Sequence, residues 1–122
     1  MHRVFTIAFL ALMTVALTPA GALAHAHLRS AIPAAGSTVS PAPKEVVLSF
    51  TEKLEPKFSS IEVRDAKGAA MQDGAASGDA ADATKLRVAL KPLPPGTYKV
   101  IWRVLSVDTH RTNGSFTFRV GQ

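Results

Sequence analysis

The alternation of apolar and polar side chains in residues 98–104, which only Ile101 interrupts, constrains the fold more than any other feature of this sequence. The apolar side chains occupy every second position, at Tyr98, Val100, Trp102 and Val104. A period of two places them on one face of a half-buried β-strand, with Lys99 and Arg103 on the opposite face. The same alternation recurs in residues 58–64, 84–90 and 115–120. Residues 45–50 form a short β-rich run.

These segments predict an all-β protein, because turn-forming residues separate them and no stretch shows a sustained helical period. Several short strands of this spacing are typical of a β-sandwich or barrel. Trp102 and Tyr98 are predicted to anchor its core. Residues 65–68 predict a turn. Residues 69–83, which are rich in Ala, Gly, Asp and Ser, predict a long mobile loop.

The first 24 residues have the pattern of a cleaved signal peptide. Arg3 precedes an apolar run over residues 4–17, which is shorter than the roughly 20 residues of a membrane-spanning helix. Residues 22–24 carry small side chains at their first and third positions, as signal-peptidase sites do. We therefore expect export to the periplasm, cleavage after Ala24 and one domain over residues 25–122. The alternative is an uncleaved membrane anchor.

The composition of the predicted mature chain argues against several kinds of site. The sequence has no cysteine, so disulfides, a lipidated cysteine and thiolate metal sites are not expected. Residues 25–122 carry 13 Lys and Arg against 9 Asp and Glu, a net charge of +4 that is scattered along the sequence. No basic run is interleaved with aromatic residues, so no nucleic-acid surface is predicted. No segment after residue 24 is apolar enough to cross a bilayer, so the mature protein is not expected to be membrane-embedded.

Three histidines remain in the predicted mature chain, and two of them, His25 and His27, lie within its first three residues. At a free N-terminus, the α-amine and the imidazole Nδ1 of His25 close a six-membered chelate around one metal ion. Two tethered nitrogens lower the entropic cost of assembling a site. Nitrogen ligands favour Cu(II), which leads the divalent affinity order. Since the amine must lose a proton, affinity should rise with pH around the α-amino pKa of about 8.

Asp108 and His110 are the other candidate ligands. In an extended chain, side chains two residues apart project to the same side, about 7 Å apart along the backbone, so the two can converge on one ion. The alternative is a turn in which Asp108 caps backbone amides and His110 is a surface residue.

His27 is an alternative ligand, because an amine, two deprotonated backbone amides and a histidine at position three also bind Cu(II). An amide that is committed to a sheet hydrogen bond is not available for this mode. We therefore expect His27 to be buried or to support the metal ligands from outside the coordination shell.

Several blocks of the sequence resemble the CopC family of periplasmic copper-binding proteins, over nearly the whole predicted mature chain. These blocks are residues 25–28, 33–37, 93–100, 102–103, 106–110 and 114–118. The resemblance implies a Greek-key β-sandwich or barrel of immunoglobulin-like or cupredoxin-like shape, with about seven strands. It also implies one Cu(II) ion per chain, bound by His25, Asp108 and His110.

Two departures from the family pattern accompany this resemblance. Some members have a methionine-rich Cu(I) site, but Met71 is the only methionine after residue 24, so no such site is expected here. Arg111 stands where many members have proline, which places a fixed positive charge next to His110.

The predicted function is copper homeostasis or resistance by a non-enzymatic protein. It would sequester Cu(II) or deliver it to a copper-importing inner-membrane protein or a cuproenzyme. Two alternatives stay open. A terminal histidine also forms the copper brace of oxygenases that attack polysaccharides, although these need an open coordination position and exposed aromatic residues. A metal-free immunoglobulin-like interaction domain follows if residue 25 is not the N-terminus.

The position of the N-terminus is the first testable expectation. N-terminal sequencing and the intact mass of the exported protein should match residues 25–122, because the cleavage pattern ends at Ala24. Native mass spectrometry with one equivalent of Cu(II) should add the mass of one copper ion. A blocked residue 25, or cleavage at another bond, would contradict a terminal-histidine ligand.

Overall fold

The structure is a computed structural model that describes residues 26–122; the predicted signal peptide and His25 lie outside the described residues. The described chain forms eight strands: β1 Leu28–Ile32, β2 Thr38–Val39, β3 Glu45–Phe50, β4 Ser60–Arg64, β5 Gln72–Gly78, β6 Lys85–Leu90, β7 Gly96–Leu105 and β8 Arg111–Val120. A 3-10 helix of three residues, Pro56–Phe58, precedes β4. Within this described range, no helix has the length and apolar character needed to cross a membrane.

The strands form two four-stranded sheets, in the orders β1-β3-β6-β5 and β2-β8-β7-β4. Neighbouring strands are antiparallel except for β2 and β8, which are parallel. Only β5–β6 and β7–β8 are hairpins between consecutive strands, and the other connections pass from one sheet to the other. The predicted all-β sandwich is confirmed, and the two-residue β2 brings the number of strands to eight rather than about seven.

Most of the core consists of the apolar side chains on one face of β3, β4, β6, β7 and β8, and Ala26, Leu54 and Leu93 complete it. Tyr98 and Trp102 on β7 are only 3% and 8% exposed, so their predicted place in the core is confirmed. Trp102 packs edge-on against Phe50 of β3, with ring centroids 5.1 Å apart, and this contact joins the two sheets. Tyr98 stacks on Phe118 of β8 at 5.6 Å.

The turn at residues 65–68 is confirmed, since the amide of Gly68 donates to the carbonyl of Asp65 at 3.0 Å. The mobile loop predicted for residues 69–83 is wrong, because residues 72–78 form strand β5. This strand is at a sheet edge and most of its residues are exposed, so it needs no apolar alternation. Its pairing with β6 is irregular between Asp73 and Ser77, where Gly74 has a φ of +89°.

Gly114 illustrates how closely the core is packed. It lies directly opposite Trp102 in the β7–β8 register, and a Cβ at position 114 would lie 2.5 Å from the indole Cζ2. The indole therefore occupies the space that any other residue at position 114 would need.

Gly114→Ala should destabilise the protein by about 1–3 kcal/mol, since the added methyl group overpacks a buried ring. Thermal unfolding followed by circular dichroism should show a midpoint lower by roughly 4–8 °C for each kcal/mol. Gly121→Ala is the matched control, because its Cβ would meet Thr38 Cγ2 at an ordinary 3.5 Å. Equal stability of the two variants would show that Trp102 does not constrain position 114.

Candidate metal site

The turn that joins β7 to β8 brings two of the predicted ligands together. The amide of Ser106 donates to the carbonyl of His110 at 3.0 Å, and the amide of Thr109 donates to the carbonyl of Ser106 at 2.9 Å. Thr109 has a φ of +71°, in the left-handed region that a β-branched residue rarely adopts. A tight turn followed by a left-handed residue is a common way to close a short β-hairpin loop.

Asp108 and His110 are close neighbours in this turn. Asp108 Oδ2 lies 3.4 Å from His110 Nδ1, and the side chains are 42% and 34% exposed. The extended backbone expected for these residues is wrong, since they form a turn in which the left-handed Thr109 redirects the chain. The two side chains nevertheless converge, as the spacing predicted.

Ser106 holds Asp108 in place, and sequence reasoning missed this residue. Ser106 is fully buried and its hydroxyl donates to Asp108 Oδ1, while the amide of His110 donates to Ser106 Oγ at 3.3 Å. The carboxylate of Asp108 therefore accepts mainly from a side chain, with a weaker hydrogen bond from its own backbone amide, so the turn alternative is correct in placing these residues in a turn. Serine is favoured at the first position of such turns, which is the signal that identifies it in the sequence.

The hydrogen bond from Ser106 lowers the pKa of Asp108 below its ordinary value of 3.8. Partial desolvation opposes this change in the pKa, and the nearby His110 adds to it. A lowered pKa keeps the carboxylate charged at neutral pH. It also stabilises the fold above the ordinary pKa, and that contribution is lost as the pH falls through the lowered value.

The turn is also anchored to the segment that follows β3. The amide of Val107 donates to the carbonyl of Lys53 at 3.0 Å, and Leu54 forms an isolated β-bridge with Ser106. The amide of Thr51, in the same segment, donates to the carbonyl of His27 at 2.9 Å. This segment therefore connects the beginning of the described chain to the Asp108–His110 turn.

A direct contact joins the beginning of the described chain to β8. Ala26 is fully buried, and Thr112 Oγ1 donates to its carbonyl at 2.8 Å. Thr112 follows His110 by two residues, so Ala26 lies at the same end of the sandwich as Asp108 and His110. Sequence reasoning did not identify Thr112.

The other predicted site residues have different surroundings. His27 is exposed, so its predicted burial is wrong; it precedes β1, and its amide donates to Thr51 Oγ1 at 3.0 Å rather than entering a sheet. Arg111 is exposed on β8, opposite Leu105. His25 lies outside the described residues. Within residues 26–122, no group of three or more His, Cys, Asp or Glu side chains could hold a metal ion, so Asp108 and His110 form a pair.

The sequence and the fold match known proteins along nearly the whole described chain. The family model of the CopC domain matches residues 28–121. The chain belongs to the CopC family. Protein YobA of Escherichia coli (strain K12) is 39% identical over 112 residues, which cover 91% of this chain and 90% of that protein.

Two further relatives carry copper in their names. Copper resistance protein C of Xanthomonas campestris pv. juglandis is 40% identical over 115 residues, which cover 89% of this chain and 90% of that protein. The crystal structure of PcoC, described as a methionine-rich copper resistance protein from Escherichia coli, is 35% identical with a TM-score of 0.70. It matches 80% of this CopC-family chain and 100% of the PcoC chain.

Ser106→Ala should move the pKa of Asp108 upward, toward its ordinary 3.8, because the hydrogen bond from Ser106 is the main cause of the lowered pKa. An NMR pH titration of the side-chain carboxyl carbons of the metal-free protein measures this. Asp82 is the internal reference, since Thr84 lowers its pKa independently of Ser106. An unchanged pKa of Asp108 would mean that Ser106 does not bond to it in solution.

Proposed function

We propose that this CopC-family protein binds one Cu(II) ion per chain at the N-terminus of its mature form, through His25, Asp108 and His110. It would act in the periplasm, after cleavage behind Ala24, by sequestering copper or delivering it to a copper-importing inner-membrane protein or a cuproenzyme. The family and the names of its relatives support copper as the cargo. The ligand set is inferred from the contacts around the Asp108–His110 turn.

The observation that carries this proposal is the hydrogen bond from Thr112 to Ala26. The peptide bond keeps the Cα atoms of residues 25 and 26 about 3.8 Å apart. Thr112 lies two residues from His110, which is about 7 Å along a strand. Ala26 is therefore held near the turn, and this supports the proposal that the amine and imidazole of the preceding residue bind the same ion as Asp108 and His110.

The pair in the turn fits a shared metal ion. Two ligand atoms at about 2.0–2.2 Å from one ion are no more than about 4.4 Å apart, and the 3.4 Å between Asp108 Oδ2 and His110 Nδ1 lies within that limit. The lowered pKa of Asp108 keeps it a carboxylate, as a ligand must be. Imidazole, amine and carboxylate together form a nitrogen-rich set that suits Cu(II).

The competing mode through His27 is disfavoured by its backbone. That mode requires the amide of His27 to deprotonate, but this amide donates to Thr51 Oγ1 at 3.0 Å. Binding through it would break this hydrogen bond and loosen the attachment of the chain to the segment after β3. We therefore assign His27 no ligand role.

A Cu(II) carrier also fits the remaining candidate groups better than a Cu(I) site or an oxygenase. Met71 is partly buried and packs against the core, and a soft Cu(I) site needs several thioethers. Trp102 and Tyr98 are buried, so they do not provide the exposed aromatic platform that polysaccharide oxygenases use. We propose that the protein binds copper without acting as an enzyme.

His25→Ala should weaken Cu(II) binding by more than the roughly 10–100-fold that the loss of a supporting residue costs, because it removes a chelating ligand. Asp108→Asn and His110→Ala should weaken it as well. Competition with a chromogenic Cu(II) chelator measures the affinity. His27→Ala is the matched control, and its affinity should change little.

Adding one glycine before His25 tests whether tight binding needs the chelate of amine and imidazole or only the imidazole. It keeps every side chain but moves the free amine off residue 25, so tight binding should be lost. Affinity of the unmodified mature protein should also rise with pH up to the α-amino pKa of about 8. Full affinity in His25→Ala or in the extended protein would overturn the N-terminal site.

A further inference from the structure

The outer face of the sheet β2-β8-β7-β4 carries the whole net charge of the described chain. Five basic side chains and one acidic side chain take the outward positions of β4, β7 and β8: Arg64, Lys99, Arg103, Arg111, Arg119 and Glu62. We call this surface the basic face. The rest of residues 26–122 contains eight basic and eight acidic residues, so its formal charge is zero with histidines neutral.

The register spreads these side chains over the outer surface of the sheet. Lys99 and Arg103 are about 13 Å apart on β7, and Arg111 and Arg119 are about 26 Å apart on β8, at roughly 3.3 Å per residue. Polar side chains are their partners on β8, Thr117 for Lys99 and Asn113 for Arg103, and the partly exposed Ile101 lies between Lys99 and Arg103 on β7. The basic face is therefore a broad surface of separated positive charges.

The basic face is not neutralised within the fold. Arg64 lies directly opposite Lys99, and like charges in this position destabilise a sheet. Glu62 contacts Arg64 at 2.9 Å and Arg103 at 3.5 Å, so one carboxylate is shared by two guanidinium groups.

On the other sheet, one basic side chain has two carboxylate partners. Its Arg87 lies between two carboxylates: it contacts Glu45 at 3.4 Å and also pairs with Asp79. Charge is thus balanced on one side of the sandwich and left in excess on the other.

We propose that the basic face docks on a membrane surface of anionic phospholipid headgroups. Four of its five basic residues are arginines, whose planar guanidinium groups bind phosphate through two hydrogen bonds. Specific protein interfaces concentrate their binding energy in Trp, Tyr and Arg side chains near their centre, and of these the basic face supplies only Arg. Among the described residues, the exposed large apolar side chains are Ile32, Phe58 and Val107, and none of them occupies an outward position of β4, β7 or β8. This surface has the charge for a phosphate-covered plane and lacks the anchors for a protein.

Docking through the basic face also determines where the Asp108–His110 turn lies relative to the membrane. Arg111, at one end of the basic face, directly follows His110, so the turn lies at the rim of the docked surface. The proposal rests on the charge of residues 26–122 and holds for the metal-free protein, so it does not depend on the proposed copper site.

Sedimentation with large vesicles tests the docking surface. The exported protein, with chelator present, should bind equimolar phosphatidylglycerol and phosphatidylcholine vesicles at about 0.01 M salt, where the Debye length is about 30 Å. At about 1 M salt, where that length falls to about 3 Å, binding should be lost. Vesicles of phosphatidylcholine alone should not bind it, and they also reveal any binding through an uncleaved apolar segment at residues 4–17.

Two double variants of equal net charge identify the surface. Lys99→Gln with Arg119→Gln removes two charges from the basic face and should weaken binding about 30-fold, the loss expected for two basic residues at an anionic leaflet. Lys44→Gln with Lys91→Gln removes two charges near the ends of β3 and β6 in the other sheet and should change binding only a few fold. Circular dichroism confirms that each variant is folded.

Three results would overturn the proposal. Equal weakening in both double variants would mean that only the net charge matters. Equal binding to anionic and neutral vesicles would exclude recognition of headgroup charge. Capture by polyglutamate beads without binding to the anionic vesicles would assign the basic face to an acidic protein.

Discussion

The pairing of β7 with β8 is the constraint on which the rest of the structure depends. Ten residue pairs, from Gly96 with Val120 to Leu105 with Arg111, hold this hairpin in one register. The register places Gly114 under the indole of Trp102, so the largest core side chain has space. A shift of one strand by one residue would move its buried side chains to the exposed face. The same register closes the turn that carries Asp108 and His110.

The candidate metal site is therefore a product of the hairpin rather than of a separate loop. Ser106 directly follows β7, and its buried hydroxyl fixes Asp108, while Thr112 is the second residue of β8 and holds Ala26. A mononuclear centre that takes its ligands from the chain terminus and from a turn needs both to be anchored to one rigid element. The first residues of β8 provide such an element, because the turn with Asp108 and His110 leads directly into them and Thr112 bonds to Ala26.

The outer faces of the two sheets differ in net charge, because they differ in the number of carboxylates that neutralise their basic side chains. Arg87 has two carboxylate partners on one sheet, whereas Glu62 is shared by two arginines on the other. Like charges that face each other across paired strands lower the stability of a sheet. This loss of stability is consistent with a surface whose positive charge is neutralised by an external anion rather than by other side chains of the fold.

The local sequence was sufficient to predict the strands whose two faces differ in polarity. The strands of residues 98–104 and 115–120 were predicted because a half-buried strand requires alternation. Strand β5 was missed, because an edge strand exposed on most sides shows no such pattern and pairs only through its backbone. The Asp108 and His110 pair was predicted from its spacing, but through an extended backbone that the left-handed Thr109 replaces with a turn.

The sequence by itself determined the all-β class, the buried aromatic side chains, the family and the candidate ligands, since each depends on residue type and short-range spacing. Tertiary structure alone decided which distant residues meet. Ala26 reaches Thr112 across 86 positions of the chain. Five scattered basic residues share one face because three strands pair in a particular register. Such contacts depend on the pairing of strands that are remote in sequence, and no local pattern specifies that pairing.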